Sequence, residues 1–149
     1  ALDDTTAEGG TMELVRGSHR WAPAAPEGEF HGPQDYRKYM MKAAAAEGIA
    51  EPEIVPVVVK KGSGSFHHGR TWHGSGDNKA THARRSLVVH CLSSQARFVP
   101  ANIATGTGPI YGRYMPRNGD VTMDDNDFPI LWTRDGRRST WIDSYLGAA

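Results

Sequence analysis

The sequence has one cysteine, no net charge and no long apolar run. Cys91 alone excludes an internal disulfide framework and points to a reducing, cytoplasmic setting. Lysine plus arginine number 17 and aspartate plus glutamate also 17, a formal net charge of zero. Without a basic excess, the electrostatic case for a nucleic-acid or anionic-membrane partner falls away. The longest strongly apolar stretch, residues 54–59, contains Pro56 and is far too short to cross a bilayer. The opening residues lack the basic-then-apolar pattern of a secretion signal. Hydrophobic content is only 38%, and 17 glycines and 9 prolines are spread throughout. That composition favours short strands and long loops over a helical bundle. At 149 residues the chain reads as a single domain able to bury a sizeable core.

What is present can be placed on elements. Residues 11–15 alternate well enough for a strand, and Gly17 and Ser18 end it. Residues 22–34 carry three prolines and two glycines and read as a surface excursion; with the helix that follows they form an insertion over 22–50. Pro33 suits a first helical turn, Asp35 favours the positive helix end and Gly48 can take the left-handed stop. Tyr36, Tyr39, Met40, Ala43 and Ala44 recur at helical spacing and form one apolar stripe, which should pack on a sheet. Three β-rich runs follow, at 54–60, 64–73 and 84–92. A last hairpin is expected where Asp135-Gly136 separates 130–133 from 139–142, with Trp132 opposite Trp141. Antiparallel strands with one helix and long loops point to a sandwich or jelly roll.

Seven histidines stand out, four of them between His67 and His82. In a strand, His67, Thr71 and His73 share one face, while His68 and Trp72 take the other. His73 is followed by the turn-rich Gly74-Ser75-Gly76-Asp77-Asn78, a place from which an imidazole can reach a metal. On the next run Arg84, Ser86, Val88 and His90 share a face, opposite Arg85, Leu87, Val89 and Cys91. An inward guanidinium with a hydroxyl two residues on suits a carboxylate, which the planar fork holds through two hydrogen bonds. The plainer alternative is a polar surface turn and a solvated arginine pair.

His73-Gly74-Ser75 with Asn78 and Arg84 resembles the distal iron-binding motif of the phytanoyl-CoA dioxygenase family, non-haem Fe(II)- and 2-oxoglutarate-dependent oxygenases. Residues 10–21 resemble that family's strand leading into a Pro-Gly-Ser-His turn, with Arg16 in place of the proline. The two pieces stand in family order and anchor residues 1 to about 95. The resemblance implies a mainly β, double-stranded β-helix (a cupin-like jelly roll) with an inserted helix, and a hydroxylase-type reaction using Fe(II), 2-oxoglutarate and O2. Within it His73 is the distal metal ligand, Arg84 binds the distal carboxylate of 2-oxoglutarate and Ser86 is a second donor to it. Ser75 and Asn78 shape the turn beneath the metal and are also candidates for the pocket. Ser18 and Thr71 are pocket candidates, as is His19, although a structural turn role fits Ser18 and His19 equally well. Trp72 packs on the barrel's other face, and His67, His68 and His90 are structural. The implied substrate is a small molecule of unspecified identity.

The family's first histidine and carboxylate come from a His-x-Asp motif ahead of the Gly-Ser-His turn. No histidine here is followed two residues later by Asp or Glu. Gly17 lies so near the start that such a motif falls upstream of Ala1. The expectation is therefore the C-terminal part of a longer oxygenase, an incomplete barrel whose open edges pair with an N-terminal segment or a second copy. Two other readings remain. One is a cupin-type metalloprotein using His67 or His68 plus His73, which leaves Arg84 and Ser86 unexplained. The other is a non-catalytic jelly-roll scaffold. The acidic run 124–127 lacks the glycine and closing glutamate of a calcium loop and reads as a solvated turn, and Arg134, Arg137 and Arg138 as solubilising charges.

Overall fold

The computed structural model describes residues 1–23, 35–100, 110–116 and 118–147. They fall into two compact units, Ala1–Val89 and His90–Ala149.

The first unit is organised by an open, three-stranded antiparallel sheet. Its central strand is β1 (Met12–Val15), flanked by β2 (Ile54–Pro56) and β3 (His73–Ser75). Leu14 pairs with Val55 on one side and His73 on the other, while Glu13 faces Gly74 and Met12 faces Ser75. Directly paired residues share a face and neighbours along a strand alternate. Glu13, Val15 and Gly74 therefore look one way; Met12, Leu14, Val55, His73 and Ser75 look the other. β1 stops where Gly17 turns left-handed, with φ 78°, into the 3-10 turn Ser18–Arg20.

Helix α1 (Tyr36–Ala46) closes the first of those faces. Its start is set by Asp35, whose carboxylate accepts from the backbone N–H of Lys38 at 3.0 Å. Its end is set by Gly48, at φ 75°. The expected stripe is the buried side: Met40 and Ala44 pack with Val15 and Trp21, and Tyr36, Ala43, Ile49, Ile54 and Trp72 surround them. Pro33, expected in the first turn, and most of the 22–34 excursion lie outside the described residues.

The strand expectations need shortening. The 54–60 run pairs with β1 over Ile54–Pro56, the N–H of Val57 adds a bond to the carbonyl of Met12 at 2.8 Å, and the backbone then turns to the N-terminal segment. Thr5 bonds Val57 and Val59, and Asp4 holds Lys60 and the N–H of Lys61. The 64–73 run becomes β3 only at its last residue; before that the chain turns at Gly69 and Arg70, so the ladder is set after the turn rather than before it. The 84–92 run forms no ladder among the described residues. A strand needs a neighbour to bond along its length, and the bond seen here is at Arg85, whose carbonyl accepts from the N–H of Leu2 at 2.9 Å. Leu87, Val88 and Val89 stand exposed. The sheet is thus open, and a closed jelly roll is not what these residues build.

In the second unit, Phe98 and Tyr114 pack edge-on against Phe128, and Phe98 donates its N–H to the carbonyl of Val121. The expected 130–142 hairpin is reduced to its turn. Gly136 closes back on Thr133, and Ile130 and Ser139 bond each other, but no ladder follows. Helix α2 (Ile142–Leu146) begins where the returning strand was expected, and Trp141 packs edge-on against Tyr145 one turn along. Asp124 closes the acidic turn by accepting from Asn126 and from the N–H of Phe128. Arg138 pairs with Asp143, while Arg137 lends its carbonyl to the Thr133 hydroxyl.

Candidate functional site

His73 enters β3 opposite Leu14, on the face away from α1, and its side chain is exposed. Its Nδ1 lies 2.7 Å from the carbonyl oxygen of Thr71. A carbonyl can only accept, so Nδ1 carries a proton, and in the neutral ring Nε2 then keeps the lone pair. This is the tautomer in which a histidine binds a metal through Nε2, with the other nitrogen steered by a backbone acceptor. The donor chemistry of His73 therefore fits an iron ligand. Among the described residues, however, no group of three or more histidine, cysteine, aspartate or glutamate side chains is arranged to hold a metal.

The alternation expected for residues 67–73 is seen in contacts rather than in ladder bonds. The ring of His67 lies 4.9 Å, centroid to centroid, from that of His73. His67 and Thr71 also line a shallow concavity of about 410 Å³ with Leu14, Arg16, Glu53 and Val55. His68 goes elsewhere, its ring 5.5 Å from that of His19, and Trp72 packs into the core under α1. His67, structural within the family resemblance and one of two equal ligand candidates in the cupin-type alternative, is set apart from His68 by the same period-two pattern that places Thr71.

Gly74 owes its place to the helix. A Cβ there would lie 2.3 Å from Cδ2 of Tyr36, so only a glycine lets that ring rest on β3. The Tyr36 hydroxyl donates to Glu13 at 2.7 Å, and Arg37 grips the same carboxylate through two nitrogens. The Arg37 bonds hold the Glu13 carboxyl below its ordinary range, against partial burial. Burial first, then the Glu13 bond, raises the Tyr36 phenol. This latch was missed from sequence, since nothing local connects residues 13 and 36. Gly10, at φ 64°, allows a second close approach: a Cβ would meet the carbonyl of Gly76 at 2.5 Å.

The other candidate residues separate by what they touch. Ser18 is buried; its hydroxyl donates to the carbonyl of Val15 and accepts from the N–H of Trp72, at 2.7 and 2.8 Å. It ties the end of β1 to the approach to β3. Asn78 donates to the carbonyl of His82 and accepts from the N–H of Ala80, which shapes the loop after β3. Ser75 lies exposed on β3, opposite Met12.

The two arginines that follow are used differently. Arg85 is fastened to Asp3 through Nε, Nη2 and its own N–H, at 2.7–2.9 Å, which draws the Asp3 carboxyl far below its ordinary range. Arg84 is half-buried and Ser86 exposed; neither has a hydrogen-bond or ion-pair partner among the described residues. No hydrogen bond or ion pair joins either of them to His73. Neighbours in sequence, the two guanidiniums thus differ: one is spent on an internal carboxylate, the other is not.

Comparison with known proteins now has residues to act on. The family described as Phytanoyl-CoA dioxygenase (PhyH) matches residues 1–86, a span that includes β1, α1, β3, Arg84 and Ser86. A protein named dioxygenase cdmD, from Talaromyces verruculosus, is 26% identical over 138 residues, covering 89% of this chain. The chain spans 38% of the length of that relative. No solved structure matches. No helix among the described residues is long and apolar enough to cross a membrane. With more than half of its 149 residues inside the family match, the chain belongs to the phytanoyl-CoA dioxygenase family.

Proposed function

We propose that this chain forms part of an Fe(II)- and 2-oxoglutarate-dependent oxygenase that acts on a small organic substrate. The observation that carries the reading is the His73 imidazole, exposed at the head of β3 with Nδ1 tied to Thr71 and Nε2 left as donor. In this reading His73 holds iron together with ligands outside the described residues, in the jelly-roll arrangement usual for the family. Iron, when bound, supplies the oxidation chemistry. Arg84 binds and orients the far carboxylate of 2-oxoglutarate, and Ser86 adds a hydroxyl donor. The Asp3–Arg85 pair holds the backbone from which both side chains project. Ser75 and Asn78 keep the turn after β3 in shape, while Ser18 acts through the fold. The exposed free thiol of Cys91 accords with a reducing, cytoplasmic compartment. The open sheet and the unladdered 84–92 run accord with a second copy or an N-terminal segment pairing along these edges.

The test is Arg84→Ala in the active protein, with succinate release followed against 2-oxoglutarate concentration. Losing a charge-assisted pair is expected to raise the KM for 2-oxoglutarate by at least tenfold, from about 1.5–3 kcal/mol of lost binding. Arg84→Lys should recover part of that loss. An unchanged KM removes the clamp and favours the scaffold reading.

A further inference from the structure

The peptide between Thr71 and Trp72 is held at both ends. Its carbonyl, on Thr71, accepts from Nδ1 of His73 at 2.7 Å, and its N–H, on Trp72, donates to the Ser18 hydroxyl at 2.8 Å. The peptide is trans, so the two groups point to opposite sides of one planar unit. Ser18 in turn donates to the carbonyl of Val15 at 2.7 Å. The bonds therefore run in one direction, from the His73 ring through a single peptide to a hydroxyl on a residue only 2% exposed, and on to the end of β1. Trp72 is fixed twice more: its carbonyl accepts from the N–H of Val15 at 2.9 Å, and its side chain packs against the core. A histidine ring free in water carries its proton mostly on Nε2, which blocks that nitrogen as a metal donor. A carbonyl fixed beside Nδ1 reverses the preference and sets the ring's orientation. In an exposed turn such a carbonyl could rotate away with its peptide. Here that rotation breaks the Trp72–Ser18 bond.

We infer that Ser18 is a positioning residue for the His73 imidazole, acting through the peptide between Thr71 and Trp72. By holding the N–H of that peptide, Ser18 fixes the carbonyl that keeps the proton on Nδ1 and leaves Nε2 as the donor atom. The inference rests on the ligand role proposed for His73 and adds a buried residue that acts on the ring from outside the metal's reach.

The test is the nitrogen-15 spectrum of the His73 ring in the whole metal-free chain at about pH 8.5, above the ordinary imidazole range, together with the iron requirement of the active protein. Wild type is expected to show Nδ1–H. Ser18→Ala should move the tautomer ratio severalfold toward Nε2–H and raise the iron concentration for half-maximal turnover by about tenfold. The KM for 2-oxoglutarate at saturating iron should stay where it is. Ser18→Cys keeps the bulk but accepts weakly and should behave as Ser18→Ala does, whereas Ser18→Thr keeps the hydroxyl and should keep Nδ1–H. Ala44→Gly loosens the same core from α1 and should leave the ratio alone. Nε2–H in wild type overturns the inference before any variant is made. An unchanged ratio in folded Ser18→Ala or Ser18→Cys overturns it too, as does an equal shift in Ala44→Gly. The ligand role of His73 then stands if His73→Ala abolishes iron-dependent turnover. A shifted ratio with an unchanged iron requirement also overturns the inference where His73→Ala abolishes turnover. If His73→Ala leaves turnover intact, the ligand role of His73 falls and the inference falls with it.

Discussion

The two faces of the sheet are made by the same three strands but use their polar side chains in opposite ways. On the face under α1, Glu13 is satisfied by Tyr36 and Arg37, and the buried Ser18 hydroxyl beside it joins Val15 to Trp72. On the other face His73, Ser75 and Val55 stand exposed, and Val55 lines a concavity with His67 and Thr71. The same division separates Arg85, fastened to Asp3, from Arg84, which meets no internal anion. Polar groups on the closed side are tied into the fold, while His73 and Ser75 on the open side stand exposed. Substitutions can break that division from either side.

The largest effect is expected at the contact between helix and sheet. Gly74→Ala puts a methyl where Tyr36 already sits, with Cδ2 and Cγ of the ring 2.3 and 2.7 Å away. The ring root cannot swing clear without moving α1, so a loss of about 3 kcal/mol is expected in urea unfolding. Adding Tyr36→Ala to that background should recover part of the loss, giving strong non-additivity in a double-mutant cycle. Independent losses would show that the helix does not rest on β3 through this pair.

Ser18 comes next and sharpens the comparison, since a pocket role and a structural role fitted the sequence equally. Ser18→Ala removes one acceptor and one donor and leaves the N–H of Trp72 without its partner. A loss of about 2 kcal/mol is expected, with the m-value unchanged. The KM for 2-oxoglutarate should not move. A change in KM without a change in stability would return Ser18 to the pocket.

How much of this was legible in the sequence follows the range of the interactions. Helix α1 was readable because its determinants are local: a capping aspartate, a stripe at helical spacing and a left-handed glycine. β1 was readable from its alternation and the turn at Gly17. The 84–92 run has the residues of a strand, but a strand exists only with a bonded neighbour, and its own sequence cannot specify that neighbour. The expected hairpin failed similarly: its Asp-Gly turn formed, while residues 142–146 satisfied their backbone within a helix instead of across a ladder. In the site, the shared side of His67, Thr71 and His73 could be read from spacing. The reason for Gly74 could not, because the ring that requires it is 38 positions earlier in the chain.

Glu13 gives a smaller effect with a pH signature. Its carboxyl is held below the ordinary value of about 4.5, chiefly by the Arg37 bonds. A depressed folded-state pKa means stability that is complete above the unfolded value and lost as pH falls through the folded one. Arg37 is well exposed, so solvent screening limits the gain, and Glu13→Gln should cost about 1 kcal/mol near pH 7. The wild-type and Glu13→Gln curves should converge as the pH drops below about 4.5. Parallel curves down to pH 3 would mean that the carboxylate charge contributes nothing to holding α1.

The smallest effect on folding is expected from the residue proposed as the iron ligand. His73 is exposed, its ring contacts only His67 among aromatic neighbours, and its single hydrogen bond reaches back two residues to Thr71. A side chain so placed adds little to the folded state, and His73→Ala should shift stability by no more than about 0.5 kcal/mol. Metal binding and oxygenase activity should nevertheless collapse in that variant. Such a split is the converse of the one expected at Ser18, and the two measured together test whether the faces really differ in purpose. If His73→Ala instead unfolded the chain as readily as Gly74→Ala, the imidazole would belong to the architecture. The open face would then be a solvent-exposed side of the fold and not a place where ligands assemble.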